Sequence, residues 1–149
     1  MRKLSLLAAL LGCFCAAQAA EPAPATQSAT AASPAQNPLA GSWSGKLPGK
    51  SCVETFHYRA NGTRTVTSGD EVTQADYTIP PMPSLLGFYR LLETVTVANG
   101  KKDCSGDLHE ASGEPVTRFI QFSPRQDQLI VCREESLKAC FGPLKRVSE

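Results

Sequence analysis

The strongest constraint on the fold is a regular succession of short β-type segments and turns over residues 39–147. Residues 71–79 alternate, with Ala75, Tyr77 and Ile79 on one face and polar residues on the other, as a half-buried strand requires. About eight segments of this kind occur, and no helical pattern runs longer than two turns. The chain is therefore expected to be all-β.

Turn residues between the segments predict how consecutive strands connect. Asn61-Gly62 and Asn99-Gly100 each predict a hairpin turn, because Asn-Gly suits the positive φ angles of a type I′ turn. The prolines within residues 80–83 end the preceding strand because they lack a backbone N–H. Short strands paired in sequence predict an antiparallel up-and-down meander. Closure into a small barrel of about eight strands protects its edges more completely than a sandwich does.

The N-terminal residues predict export. Two basic residues precede an uncharged run of mostly Leu and Ala over residues 4–20, which ends in small residues. This pattern is typical of a secretory signal peptide, residues 1–20, rather than of a longer transmembrane anchor. An alternative cleavage lies before Cys13, because residues 10–13 resemble a bacterial lipobox, and lipidation of Cys13 would anchor the protein to a membrane.

A linker and a single domain are expected after the signal peptide. Residues 21–38 contain no aromatic residue and no aliphatic side chain larger than Ala, so they cannot bury enough apolar surface to fold and are predicted to be disordered. Residues 39–149 are then the β-barrel domain. We expect the protein to be periplasmic or secreted, or an outer-membrane lipoprotein if Cys13 is acylated.

Cysteine usage agrees with export. Removing the signal peptide takes away two of the six cysteines and leaves Cys52, Cys104, Cys132 and Cys140, an even number that predicts two disulfides in an oxidising compartment. Three pairings are open. The short separation of Cys132 and Cys140 favours a local bridge, with Cys52 and Cys104 paired over a long loop. We expect no metal site, because residues 104–110 match no zinc spacing and oxidation consumes thiols.

Two stretches resemble the lipocalin-like (calycin) barrels. Residues 39–43, Leu-Ala-Gly-Ser-Trp, are similar to the Gly-x-Trp opening of these barrels, and residues 56–63 are similar to the aromatic strand and Asn-Gly-Thr hairpin of small bacterial exported members. The resemblance covers residues 39–147. It implies a closed barrel in which Trp43 lies on the first strand and packs across the bottom.

Composition and motifs exclude several classes of function. The net charge is +1, and it becomes −1 once the two basic residues of the signal peptide are removed, so no nucleic-acid partner is expected. No Gly-x-Ser-x-Gly or His-Glu-x-x-His motif occurs, and we expect no enzyme activity and no cofactor.

His57 should face away from its aromatic neighbours, and Asp70-Glu71 at a turn should be solvated surface charges.

The expected function is binding without catalysis. Tyr58, Tyr77 and Tyr89, with Arg90 as an acid-binding group, are the candidate lining of a pocket for a small apolar or amphipathic ligand. The alternative is a periplasmic inhibitor or immunity-type module that binds an envelope protein through exposed loops. The apolar residues 80–86 would then form the partner contact, or else a lid over the barrel. A membrane contact is expected only through a lipid on Cys13.

Overall fold

The structure is a computed structural model that describes residues 37–148. The predicted signal peptide (1–20), Cys13 and nearly all of the predicted linker (21–38) lie outside the described residues. Within residues 37–148, no helix is long and apolar enough to cross a membrane. The eight strands are β1 Gly41–Lys46, β2 Val53–Tyr58, β3 Thr63–Ser68, β4 Glu71–Thr78, β5 Tyr89–Ala98, β6 Pro115–Phe122, β7 Gln128–Cys132 and β8 Cys140–Val147.

The strands form one antiparallel meander in which each strand pairs with the next, and β1 pairs with β8 to close the barrel. Ser42, Trp43 and Ser44 of β1 face Val147, Arg146 and Lys145 of β8. The predicted all-β, up-and-down, eight-stranded barrel is therefore confirmed. Closure leaves no free sheet edge among the described strands, which removes the hazard of edge-to-edge association.

The two Asn-Gly turns have different outcomes. Asn61-Gly62 joins β2 to β3 as predicted, but the expected type I′ geometry was wrong. Gly62 has a φ of 85°, which favours glycine, whereas Asn61 does not have a positive φ. The Gly62 N–H donates to the Arg59 carbonyl oxygen at 3.1 Å, so Ala60 and Asn61 are the central residues of the turn.

Asn99-Gly100 turns the chain but forms no tight hairpin, since the next strand begins only at Pro115. The Asn99 side chain instead donates to the carbonyl oxygen of Asp70 at 2.9 Å, so the turn is tied to the β3–β4 connection and the chain continues into a long loop.

One end of the barrel, which we call the closed end, is filled by side chains. Trp43, Leu91, Ile120 and Leu129 are almost fully buried there, together with Leu39 from the segment before β1. The Trp43 indole N–H donates to the Leu39 carbonyl oxygen at 2.8 Å. Trp43 on the first strand thus packs across the bottom of the barrel, at the position that the Gly-x-Trp resemblance implies.

Arg146 contacts both Trp43 and the segment that precedes β1 at this closed end. Its guanidinium lies 4.1 Å from the centre of the Trp43 ring system, a cation–π contact. The same guanidinium donates to the carbonyl oxygens of Ala40 at 2.8 Å and Pro38 at 3.1 Å. The last strand therefore holds the segment that enters the first strand.

The opposite end, which we call the mouth, carries the β1–β2, β3–β4, β5–β6 and β7–β8 connections. Both predicted disulfides form there: Cys52–Cys104 joins the β1–β2 and β5–β6 connections, and Cys132–Cys140 closes the β7–β8 connection. Their sequence separations are 52 and 8 residues. Two bridges in a chain of this size indicate an oxidising, extracytoplasmic compartment.

Candidate functional site

A cavity of about 980 Å³ opens at the mouth and extends into the barrel. This volume lies within the roughly 300–1,000 Å³ of small-molecule sites. Its rim comes from the mouth connections, including Asp103, His109 and Lys138. The inward-facing strand residues that line it include Phe56, Tyr58, Arg64, Val66, Thr73, Glu93, Val95, Val116, Arg118 and Val131.

Three polar side chains meet on the inner wall of this cavity. Arg64 on β3 lies opposite Tyr58 on β2 in the strand register, and Glu93 projects from β5. The Arg64 Nη1 donates to Glu93 Oε1 at 2.8 Å, and the Tyr58 hydroxyl donates to the same oxygen at 3.2 Å. We call Arg64 and Glu93 the inner charge pair; about nine-tenths of each side chain is buried.

The electrostatics of this group follow from its burial. Burial in the barrel raises the pKa of the Tyr58 hydroxyl, and the nearby Glu93 carboxylate raises it further, because both disfavour a phenolate. Tyr58 therefore stays a hydrogen-bond donor. The Nε of Arg64 is buried and has no hydrogen-bond partner within residues 37–148. The guanidinium consequently retains donor capacity that the protein does not use.

Apolar side chains lie between the inner charge pair and the mouth. Phe56 and Val66 are the next inward-facing residues along β2 and β3 and face each other across the two strands. Val95 and Val131 line the same cavity from β5 and β7. The site therefore combines an apolar wall with a small number of charged groups, which is the usual composition of a pocket that orients an amphipathic ligand.

The structure brings Tyr58 and Tyr77 together, but only Tyr58 is among the cavity-lining residues. Their ring centres are 5.0 Å apart in an edge-to-face arrangement. The Tyr77 hydroxyl donates to the Arg59 carbonyl oxygen at 2.7 Å and accepts from the Asn37 amide at 2.6 Å. Burial raises the pKa of this hydroxyl, whereas the Asn37 bond lowers it. Tyr77 thus links β4 to the β2–β3 connection and to the segment before β1 at the closed end.

The other two candidate pocket residues lie elsewhere. Tyr89 packs edge-to-face on Phe122, with ring centres 5.4 Å apart, in the partly buried layer around the core. Arg90 is exposed on the outer face of β5. The arginines that line the cavity are Arg64 and Arg118 on the inner wall and Arg133 at the rim. The strand pattern could have indicated that Arg64 faces inward, because it lies two residues before inward-facing Val66 on β3.

A second polar group lies at the mouth. Glu71, Asp103 and His109 can each offer one ligand atom, and these atoms lie within 4.8 Å of one another. His109 Nδ1 is 2.8 Å from Glu71 Oε1. The expectation that Glu71 is a solvated surface charge was wrong, since its exposed fraction is 4%. It continues the inward face of β4, two residues before buried Thr73.

Contacts between the β3–β4 turn and the β5–β6 connection position this group. The Cys104 backbone N–H donates to Ser68 Oγ at 3.0 Å, and Ser68 donates to Glu54 at 2.6 Å. A Cβ on Gly69 would lie 3.5 Å from the backbone of Asp103 and Cys104, which shows how closely the two segments approach. Glu71 and Asp103 are far apart in sequence, so no local motif could have indicated this group.

The apolar loop, residues 80–86, lies at the closed end between β4 and β5. The expectation that it is a lid over the barrel was wrong, because the cavity opens at the other end. Its large side chains are nevertheless exposed: Met82 by 73%, Leu86 by 65% and Leu85 fully.

The second histidine, His57, is separate from both polar groups. It faces away from Phe56 and Tyr58, as predicted, and its Nδ1 lies 2.7 Å from Ser42 Oγ on the outer face of β1.

The candidate site is therefore a cavity with apolar walls, the inner charge pair on its inner wall and a carboxylate–histidine group at its mouth. No family model, curated protein or solved structure matches the chain.

Proposed function

We propose that this chain is an exported, lipocalin-like binding protein that holds a small apolar or amphipathic ligand inside its barrel. The observation that carries the proposal is the cavity of about 980 Å³, which is open at the mouth and sealed at the closed end. An eight-stranded barrel of this kind has room for one small ligand when side chains do not fill it. No catalytic step or cofactor is part of the proposal.

The lining supports an orientation for the ligand. An apolar segment would contact Phe56, Val66 and Val131, whereas a polar or acidic end would point inward to Arg64 and Arg118. The unused donor capacity of Arg64 favours an acceptor group at that position, because an unpaired buried donor costs free energy. The likeness to lipocalin-like barrels and the proposed periplasmic or outer-membrane location rest on the Gly-x-Trp opening and the disulfides.

A binding experiment tests this function. Native mass spectrometry of the protein after export would reveal a co-purified ligand. Titrations would then compare a fatty acid with the alcohol and the amine of the same chain length. We expect the acid to bind most tightly. Val66→Trp, which places an indole in the cavity, should abolish binding of all three compounds, whereas Val97→Trp on the exposed part of β5 should not.

Two arginine variants test whether the acid is bound by arginine inside the cavity or is attracted by positive charge anywhere on the protein. Arg118→Gln should weaken acid binding by about 1.5–3 kcal/mol, the usual contribution of a hydrogen bond to a charged group, and should leave alcohol binding nearly unchanged. Arg90→Gln on the outer face is the matched control and should change neither. The proposal fails if Val66→Trp binds all three compounds as the unmodified protein does, or if none of them binds to either protein.

A second candidate function is protein binding through the apolar loop. The exposed Met82, Leu85 and Leu86 support it, since adjacent exposed apolar side chains often mark a contact surface. A partner captured from an envelope extract should be lost from a Leu85→Ser, Leu86→Ser variant and retained by Val66→Trp. The reverse result would assign the interaction to the cavity.

A further inference from the structure

The carboxylate–histidine group at the mouth has the composition of a metal site. We propose that Glu71, Asp103 and His109 bind a divalent transition-metal ion, with Zn²⁺ the best suited of the common ions. The proposal is independent of the ligand inside the barrel. It rests on the donor types, on the burial of Glu71 and on the fixed position of Asp103.

The donor set suits zinc. One imidazole nitrogen and two carboxylate oxygens lie within 4.8 Å of one another, and zinc takes such donors at about 2.0–2.2 Å. A small inward movement would bring all three into range, and the His109 side chain, 53% exposed, has room to make it. Three protein ligands would leave a fourth position for water, as in open zinc sites.

The burial of Glu71 is an independent reason to expect a cation. Its side chain is 6% exposed, and its ion-pair partner is the half-exposed imidazole of His109, which is charged only when protonated. Glu93, which is similarly buried, is instead paired with a permanently charged guanidinium. A carboxylate removed from water needs a compensating charge. A metal ion would give Glu71 the fixed positive charge that Arg64 gives Glu93.

Asp103 is held in place for this role. Its Oδ1 accepts the backbone N–H groups of Ser105, Gly106 and Asp107, each at 2.8 Å, which leaves Oδ2 for an ion. The adjacent Cys104 is fixed by its disulfide and by the bond to Ser68. A site whose donors are already positioned loses less entropy on binding.

The charge of the surroundings also favours a cation. Within the described chain, five carboxylates line the mouth half of the cavity against one arginine and one lysine, whereas the interior has Glu93 with Arg64 and Arg118. A concave surface with an excess of negative charge raises the local concentration of cations. The mouth carboxylates are those of Glu54, Glu71, Asp103, Glu110 and Glu114, and the basic side chains are those of Arg133 and Lys138.

Calorimetric titration with ZnCl₂ tests the proposal on the full exported protein, with both disulfides oxidised and bound metal removed by EDTA. We expect one ion per chain. His109→Ala and Glu71→Gln should each weaken binding about tenfold or more. His57→Ala and Asp76→Asn, on the outer faces of β2 and β4, are the matched controls and should bind as the unmodified protein does.

Several results would overturn the proposal. One is the absence of Zn²⁺ binding at about 1 mM. Another is unchanged affinity in His109→Ala, which would place the ion elsewhere; this exposed side chain can be removed even if Glu71→Gln folds poorly. A third is Mg²⁺ binding as tight as Zn²⁺ binding, because Mg²⁺ prefers oxygen donors and would indicate general attraction to carboxylates.

Discussion

Removing the guanidinium of the inner charge pair should destabilise the barrel in a pH-dependent way. Arg64→Met keeps much of the side-chain volume but leaves the Glu93 carboxylate buried, with the Tyr58 hydroxyl as its remaining donor from this group. Breaking a buried pair in this manner typically costs about 3–5 kcal/mol. The cost has an upper limit, because the carboxylate can take up a proton instead of staying charged.

That limit can be worked out from the chemistry of a carboxyl group. A glutamic acid in water titrates near about pH 4.3, so protonating it at about pH 7 costs roughly 3.7 kcal/mol. At about pH 5 the same step costs roughly 1 kcal/mol. We therefore expect Arg64→Met to lose 3–4 kcal/mol of unfolding free energy near pH 7 but only about 1 kcal/mol near pH 5, measured relative to the unmodified protein at each pH.

Urea unfolding with the disulfides intact measures this difference. The chain has one tryptophan, and Trp43 lies at the closed end, so its fluorescence reports on the barrel. The double variant Arg64→Met, Glu93→Gln removes both charges and should recover most of the loss. Together with the single variant Glu93→Gln it completes a double-mutant cycle, for which we expect a coupling energy of about 2 kcal/mol or more. A loss below about 1 kcal/mol near pH 7, or one that does not change with pH, would show that water in the cavity already solvates the carboxylate.

Two further predictions concern the disulfides and Tyr58. Replacing Cys52 and Cys104 by Ser should lower the free energy of unfolding in urea by about 4 kcal/mol, and replacing Cys132 and Cys140 should lower it by about 2.5 kcal/mol. The reason is that a bridge closing a longer loop restricts the unfolded chain more. Equal losses would contradict this ordering. Burial and the Glu93 carboxylate raise the pKa of Tyr58. Above about pH 10 the folded protein therefore keeps a proton that the unfolded chain loses. The free energy of unfolding should consequently fall there by up to about 1.4 kcal/mol per pH unit. Tyr58→Phe should remove this part of the slope, and identical slopes in the two proteins would refute the assignment.

The strands and their order could be predicted because each depends on local pattern. Alternation in residues 71–79 and the Asn61-Gly62 turn specify a strand and a hairpin without reference to the rest of the chain. Asn99-Gly100 was misleading for the same reason: the dipeptide specifies a turn, but whether the following residues pair depends on distant contacts. Those contacts are the bonds to the β3–β4 connection and the disulfide of Cys104.

The candidate site was harder to predict because barrel interiors mix polar and apolar residues. Arg64 and Glu93 occupy inward positions of their strands, and extending the alternation through β3 and β5 would have placed both inside. Glu71 could be found in the same way, from the inward face of β4. The approach of Asp103 and His109 to Glu71 had no such signal, since it depends on how a long loop folds back on a hairpin.

The position at which β8 ends has a practical consequence. β8 ends at Val147 beside β1 at the closed end, where Arg146 holds the entering chain. An affinity tag placed after β8 would therefore immobilise the protein on a sensor with its opening directed toward the flowing solution. The residues of the four connections other than Cys52 and Cys104 could be randomised in a display library while the tagged end stays unchanged. The barrel is therefore a usable scaffold for selecting new binding specificities.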